Sequence, residues 1–233
     1  MTTVNYNSTK PLRNQRGFTL IELLIAMTVG AVLMAAVMTA FMAQHETYLV
    51  QDDVVEMQQN ARVAMTALTR DIRSIGFDPG RMGFTPLTTP NVTADGVAPT
   101  LVFSRDDGTN ALKSQTVTYA LFDAFVSVGG NDGLVDDLGR RVDGGSIQPV
   151  AENISQIEFR YLDENGNPIN GSGELGHVRS IQVSIMATSA NPATKAVPPS
   201  QTYSTPGGQE WTPGNGFRSL FLTSTIHCRN LGL

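Results

Sequence analysis

Apolar residues run almost without interruption from Phe18 to Ala43, and Glu22 is the one charge among them. At 1.5 Å per residue this stretch forms a helix of about 39 Å, longer than the roughly 30 Å hydrocarbon core of a bilayer. The pattern then changes. Val50, Val54, Met57, Ala61, Ala64, Leu68, Ile72 and Ile75 recur at steps of three and four, which sets them on one helix face. Asp52, Asp53, Glu56, Gln59, Arg62 and Arg70 supply the other face, and the segment continues until Gly76 and Asp78-Pro79 end it. The two patterns join into one predicted helix over 18–75, about 87 Å long, membrane-spanning over 18–43 and amphipathic over 44–75. A coiled coil is the competing reading of the second half; few heptads and abundant β-like sequence downstream favour packing on a sheet.

Residues 76–100 carry Gly76, Pro79, Gly80, Gly83, Pro86, Pro90, Gly96 and Pro99 and read as a connecting loop. Strand patterns begin after it, at 100–104, 115–122, 154–162, 178–187 and 218–228, all rich in β-branched or aromatic residues. Val117, Tyr119 and Leu121 share one face, as do Ile157, Phe159 and Tyr161, and Ile181, Val183 and Ile185, which predicts a half-buried antiparallel sheet. The Asn-Gly pair within 163–167 reads as a hairpin turn, and the proline-containing stretch 188–217 as a second long loop. The expected fold is therefore α+β: a long N-terminal helix packed on an antiparallel β-sheet domain over 101–233.

Composition narrows the function classes. With 41% hydrophobic residues the chain is not disordered throughout, and 22 Gly with 12 Pro argue against a long all-helical protein. A formal charge of −5 does not suit a general nucleic-acid binder, which needs a basic surface to displace counterions. Cys228 is the only thiol, so no intramolecular disulfide forms, and it reads as packing in an apolar strand or as a partner for another chain. His45, His177 and His227 lie far apart without paired Cys/His spacing, which disfavours zinc.

Charge also orients the chain. Residues 1–16 contain Lys10, Arg13 and Arg16 and no acid, so this flank is expected in the cytoplasm and everything after residue 43 outside it. A cleaved secretory signal is the alternative, with small residues at Ala35-Ala36 or Ala40. The apolar run is too long for that reading, and an acid sits near its start. A carboxylate in a membrane helix costs about 2.5–3.5 kcal/mol on insertion scales, so Glu22 calls for a partner. No Lys, Arg or His lies within the run. The counterion must come from another chain or from processing. Cleavage between Gly17 and Phe18 creates an α-amino group four residues before Glu22, which a neighbouring subunit can present to this carboxylate.

The string Arg16-Gly17-Phe18-Thr19-Leu20-Ile21-Glu22-Leu23-Leu24-Ile25 resembles the processing site of type IV prepilins and of the related pseudopilins of type II secretion. The resemblance implies that a prepilin peptidase cuts between Gly17 and Phe18, that Phe18 becomes N-methylated, and that Glu22 acts in assembly. Residues 1–17 are then a leader, and its removal takes the formal charge from −5 to −8. The block 148–154, followed by Ile157-Glu158-Phe159-Arg160-Tyr161, is similar to PilW-type minor pilins and more distantly to the J-type minor pseudopilin, as is the closing Ile226-His227-Cys228-Arg229-Asn230. The C-terminal cysteine pair of many major pilins is missing.

That resemblance implies a minor pilin in the bacterial inner membrane and in the pilus. It would be single-pass with a periplasmic C-terminal domain, and would act in pilus assembly or its initiation, in twitching motility and in adhesion. Its partners would be other major and minor pilins, the peptidase, the inner-membrane assembly platform and the lipid bilayer, without cofactor or direct nucleic acid. A J-type minor pseudopilin and a membrane-anchored adhesin or binding module are the alternatives.

Other motifs read as structural. Gly171-Ser172-Gly173-Glu174-Leu175-Gly176 matches G-x-G-x-x-G but has no βαβ setting and reads as a glycine-rich turn that opens no helix. The runs around Asp132, Asp136 and Asp137, and around Asp163, Asn165 and Asn167, offer oxygen ligands for Ca²⁺ yet miss the 12-residue EF-hand pattern, and read as solvated turns. The Asn-x-Ser/Thr triplets at Asn91, Asn153 and Asn170 read as chance matches. With no nucleophile elbow, zinc motif or phosphate loop, catalysis is not expected.

Overall fold

The structure, a computed structural model, describes residues 17–89, 91–109, 113–122, 136–169, 171–192 and 201–232. The leader residues Lys10, Arg13 and Arg16, the oxygen-ligand candidate Asp132 and the triplet at Asn170 lie outside them. The chain forms two compact units, Met1–Val50 and Gln51–Leu233.

Helix α1 (Leu20–Ile72) begins in the first unit and ends in the second. Leu, Met, Ala, Glu and Gln dominate it, residues that lose little rotamer freedom in a helix. It stops three residues short of the expected end. Ser74 N–H bonds the carbonyl of Asp71 and Ile75 N–H that of Ile72, tightening the last turn, and Gly76 takes the left-handed conformation at φ 71°.

In the second unit, the half of α1 that it contains buries Met57, Ala61, Ala64, Leu68 and Ile72, the face expected from the spacing of apolar residues. Against it stand two antiparallel sheets where the sequence predicts one. The first is ordered β1 (Val97–Ala98), β6 (Ile154–Leu162), β7 (Ser180–Thr188), β10 (Ser219–His227). The second is ordered β2 (Leu101–Asp106), β3 (Ser114–Phe122), β4 (Asp137–Val142), β5 (Gln148–Ala151). A two-stranded ribbon, β8 (Tyr203–Ser204) with β9 (Glu210–Trp211), lies inside the expected second loop. Both sheets feed one core with the helix, through Phe103, Tyr119 and Leu138 from one and Phe159, Ile181 and Ile185 from the other.

The Asn-Gly segment does not join β6 directly to β7. Asp163 N–H bonds the carbonyl of Asn167 in a local turn, and a 3₁₀ helix over Ser172–His177 follows before β7. The glycine-rich stretch thus does contain a short helix, contrary to expectation: Gly171 at φ 93° turns the chain, and Leu175 tucks into the core.

Candidate functional site

Thr19 stands just before the first turn of α1. Its hydroxyl oxygen accepts a hydrogen bond from Glu22 N–H at 3.3 Å, while Thr19 N–H and Oγ1 each donate to Glu22 Oε2 at 3.4 Å. This is a reciprocal capping box, in which a Thr and a Glu three residues later satisfy two orphan backbone donors. It also puts the carboxylate at the positive end of the helix dipole. The Thr-x-x-Glu spacing is visible in the sequence; the local donors are neutral, so the cap satisfies hydrogen bonds of the carboxylate without supplying a counterion.

From the cap to Ala43 the segment is apolar on every side. Phe18 is 86% exposed and Leu20 81%, and exposure continues through Leu49. Its hydroxyls are closed off within the helix: Thr28 Oγ1 donates to the Leu24 and Ile25 carbonyls at 3.1 and 2.8 Å, and Thr39 Oγ1 to the Ala35 carbonyl at 2.9 Å. A surface of this kind has no stable place in water, and with its hydroxyl donors and backbone groups already paired it offers little cost to lipid or to another apolar helix. By length and composition α1 is able to cross a membrane. Gly17 and Phe18 precede it in an exposed, non-helical stretch, with space around Gly17.

In the second unit, chemistry that the sequence did not single out fastens the helix. Asp71 lies on the buried face of α1, 6% exposed. It takes Arg140 Nε at 2.8 Å, the Tyr119 hydroxyl at 2.9 Å and Arg105 Nη1 at 3.2 Å. Arg105 Nη1 also donates to Ser74 Oγ at 2.8 Å. The three donors come from β2, β3 and β4, so the polar bonds tie the helix end to three strands. Burial and the adjacent Asp71 carboxylate push the Tyr119 phenol far above its ordinary pKa, keeping it a donor.

Glu158 on β6 is a second buried carboxylate, 1% exposed. Thr205 Oγ1 donates to it at 2.7 Å and Gly207 N–H at 3.2 Å. A Cβ on Gly207 would press on this carboxylate, which is why the turn between β8 and β9 approaches so closely.

The outward faces carry charge in bands. Burial, then Glu152, Asp53 and Asp52, raise the pKa of Glu56, the mark of an acidic cluster. Arg62 and Arg70 on α1, and Arg73 just past its end, face a cleft against β10. Cys228 is buried just past β10, and burial lifts its thiol pKa from 9.0 to about 12, so it is an inert packing group in the folded chain. Asp163 caps its own turn, accepting from Asn165 and Asn167 N–H at 2.8 Å each.

Residues 12–38 match the family model for the prokaryotic N-terminal methylation motif, a span that contains Gly17, Phe18, Thr19 and Glu22. A comparison with curated proteins found no match. Among solved structures the chain is similar to a type IV-like pilin from Thermus thermophilus, at 15% identity and a TM-score of 0.39, covering 76% of this chain and 98% of that one. The prepilin-type character of the N-terminus rests on the motif and on the helix that follows it.

Proposed function

We propose that this chain, with the methylation motif over residues 12–38 as premise, is a minor pilin that enters a type IV pilus through its N-terminal helix. The observation that carries the reading is the coincidence of that motif with an apolar run over 18–43 whose one charge is Glu22, at the first turn of α1. In this reading α1 first lies in the inner membrane, with the residues after 43 on the periplasmic side. Prepilin peptidase removes residues 1–17 and Phe18 becomes the methylated N-terminus.

Assembly then moves the apolar helix from lipid into a bundle of like helices. Because lipid and a helix bundle are equally apolar, the transfer is not driven by hydrophobicity; close packing and polar pairing decide it. Glu22 supplies the polar part, its carboxylate meeting the α-amino group of a neighbouring subunit in a medium of low dielectric, which fixes the axial register. The similarity of residues 148–161 to PilW-type chains supports a role in initiating the fibre rather than forming its bulk.

Mass spectrometry of the mature chain tests the proposal. The expected product begins at a methylated Phe18, and a mature chain that begins anywhere else overturns the reading. A deletion strain is expected to lose surface fibres while still secreting exoproteins.

A further inference from the structure

We propose that the cleft between α1 and β10 receives an extended, carboxylate-rich segment of a different subunit, added as a further strand beside β10.

The backbone of β10 is open on one side. Along its whole length it pairs with β7, from Ser219 opposite Thr188 to His227 opposite Ser180, and among the described residues no strand lies on its other edge. Cys228 N–H bonds the Arg179 carbonyl, and Ser189 N–H bonds the Arg218 carbonyl. Hydrogen-bonded residues alternate along an antiparallel pair, so the even-numbered residues of β10 bond β7. Phe221, Thr223, Thr225 and His227 therefore turn their N–H and C=O groups to the open edge. Unpaired edge groups of this kind are a template for an incoming strand.

Side chains then say what sort of strand. Leu220, Leu222 and Met65 give the cleft of about 820 Å³ an apolar floor, while Arg62, Arg70 and Arg73 line its helix side. A smaller cleft of about 280 Å³ continues it past Gln58 to Arg218. Arg218 Nε is buried without a hydrogen-bond partner, and none of the four guanidinium groups has an ion pair among the described residues. Four unpaired arginines are concentrated here on a chain of formal charge −5. Guanidinium forks select carboxylates through paired, charge-assisted hydrogen bonds.

Length agrees with this. The residues facing the cleft on the helix side run from Val54 on α1 to Arg73 just past its end, about 28 Å at 1.5 Å per residue, and nine strand residues cover about 30 Å. A second copy of this chain is a poor donor. Among its described residues, the acids clustered at Asp52, Asp53 and Glu56 are held in helical backbone and do not present as a strand.

The identity of the partner as another subunit rests on the proposed role in pilus assembly. The test is photo-cross-linking of the full chain in cells, with p-benzoylphenylalanine in place of Thr66, which lines the cleft. A second probe in place of Met34 in the apolar helix reports on assembly independently. The expected adduct at position 66 is an acidic, non-helical peptide of another chain that carries its own methylation motif. Its yield falls about tenfold in Arg62→Glu/Arg70→Glu, as loss of paired charges at an interface predicts. It falls likewise in Thr225→Pro, which removes an outward N–H and leaves the backbone ladder to β7 intact, with an unchanged melting temperature as the folding control. Adducts to a second copy, to this chain itself or to a helical segment overturn the proposal, as does a yield unchanged by the variants. Adducts at position 34 with none at 66 overturn the cleft alone, and adducts at neither position overturn the assembly role as well.

Discussion

Asp71, on the buried face of α1, accepts a 2.8 Å hydrogen bond from Nε of Arg140 on β4. A carboxylate in this position is tolerated only because Tyr119 and Arg105 also donate to it. Removing one partner of a buried pair leaves the others desolvated and unpaired, which costs far more than the pair contributes. Asp71→Ala is therefore expected to destabilise the fold by about 3–5 kcal/mol. Arg140 is partly exposed, so Arg140→Ala alone costs less. A double-mutant cycle read by denaturant unfolding is expected to show a coupling of about 1–3 kcal/mol between the two positions, and additivity would show that Arg140 is a bystander.

Leu68 sits where the helix meets the core, fully buried. Leu68→Ala removes apolar contact and leaves a cavity between elements that cannot readily close on it, for an expected loss of about 3–4 kcal/mol. Val63→Ala, half exposed on the other face, is expected to change stability by well under 1 kcal/mol by comparison. Paired thermal melts of the two variants check that the spacing of apolar residues identified the packed face.

The helix and the strongest strands were legible because each carries its own period: uniform apolarity over 18–43, steps of three and four over 50–75, and alternation in β6 and β7. The weaker elements were not. β4 reads Asp-Leu-Gly-Arg-Arg-Val and carries Gly139, whose missing Cβ leaves room for Phe122, so no propensity marks it as a strand. Its register against β3 is set by the tertiary fold. Asp71 was invisible for a related reason. Its burial follows from the helical spacing, but its partners Arg105, Tyr119 and Arg140 lie in separate strands, and no linear pattern brings them together. The motif around Gly17 and Glu22 was legible because it is contiguous, whereas the cap that Thr19 and Glu22 form depends on where the helix starts, which the apolar run alone does not mark.

Alkaline pH is expected to loosen the fold in two steps. The thiol of Cys228 has its pKa raised by burial from 9.0 to about 12, and burial also raises the phenols of Tyr119 and Tyr161 above their ordinary value of 10.0. In each case the unfolded chain releases its proton first, so above pH 9 it binds fewer protons than the folded chain and stability falls as pH rises. Below pH 9 these groups contribute their full stabilisation. Chemical denaturation between pH 8 and 11 is expected to show a decline that begins near 9, and in Cys228→Ala the onset moves toward 10. An unchanged onset would show that the thiol is not buried in solution.

Glu22 has two roles that one substitution cannot separate, since Glu22→Ala removes both the cap on α1 and the charge. Glu22→Gln separates them. Glutamine at this position still bonds back to the Thr19 N–H and keeps the capping box, but it brings no negative charge to a neighbouring amine. Thr19→Ala does the converse, weakening the cap by about 1 kcal/mol while the carboxylate stays. If pairing of charge between subunits sets the register, Glu22→Gln and Glu22→Ala both reach the membrane at normal levels and both fail to enter fibres, whereas Thr19→Ala enters them nearly as the unaltered chain does. If the carboxylate serves only the helix end, Glu22→Gln is incorporated normally and Thr19→Ala shares the defect of Glu22→Ala. Immunoblots of sheared fibres and of membranes from the same cells distinguish the two patterns, and they do so independently of whether the cleft beside β10 is occupied.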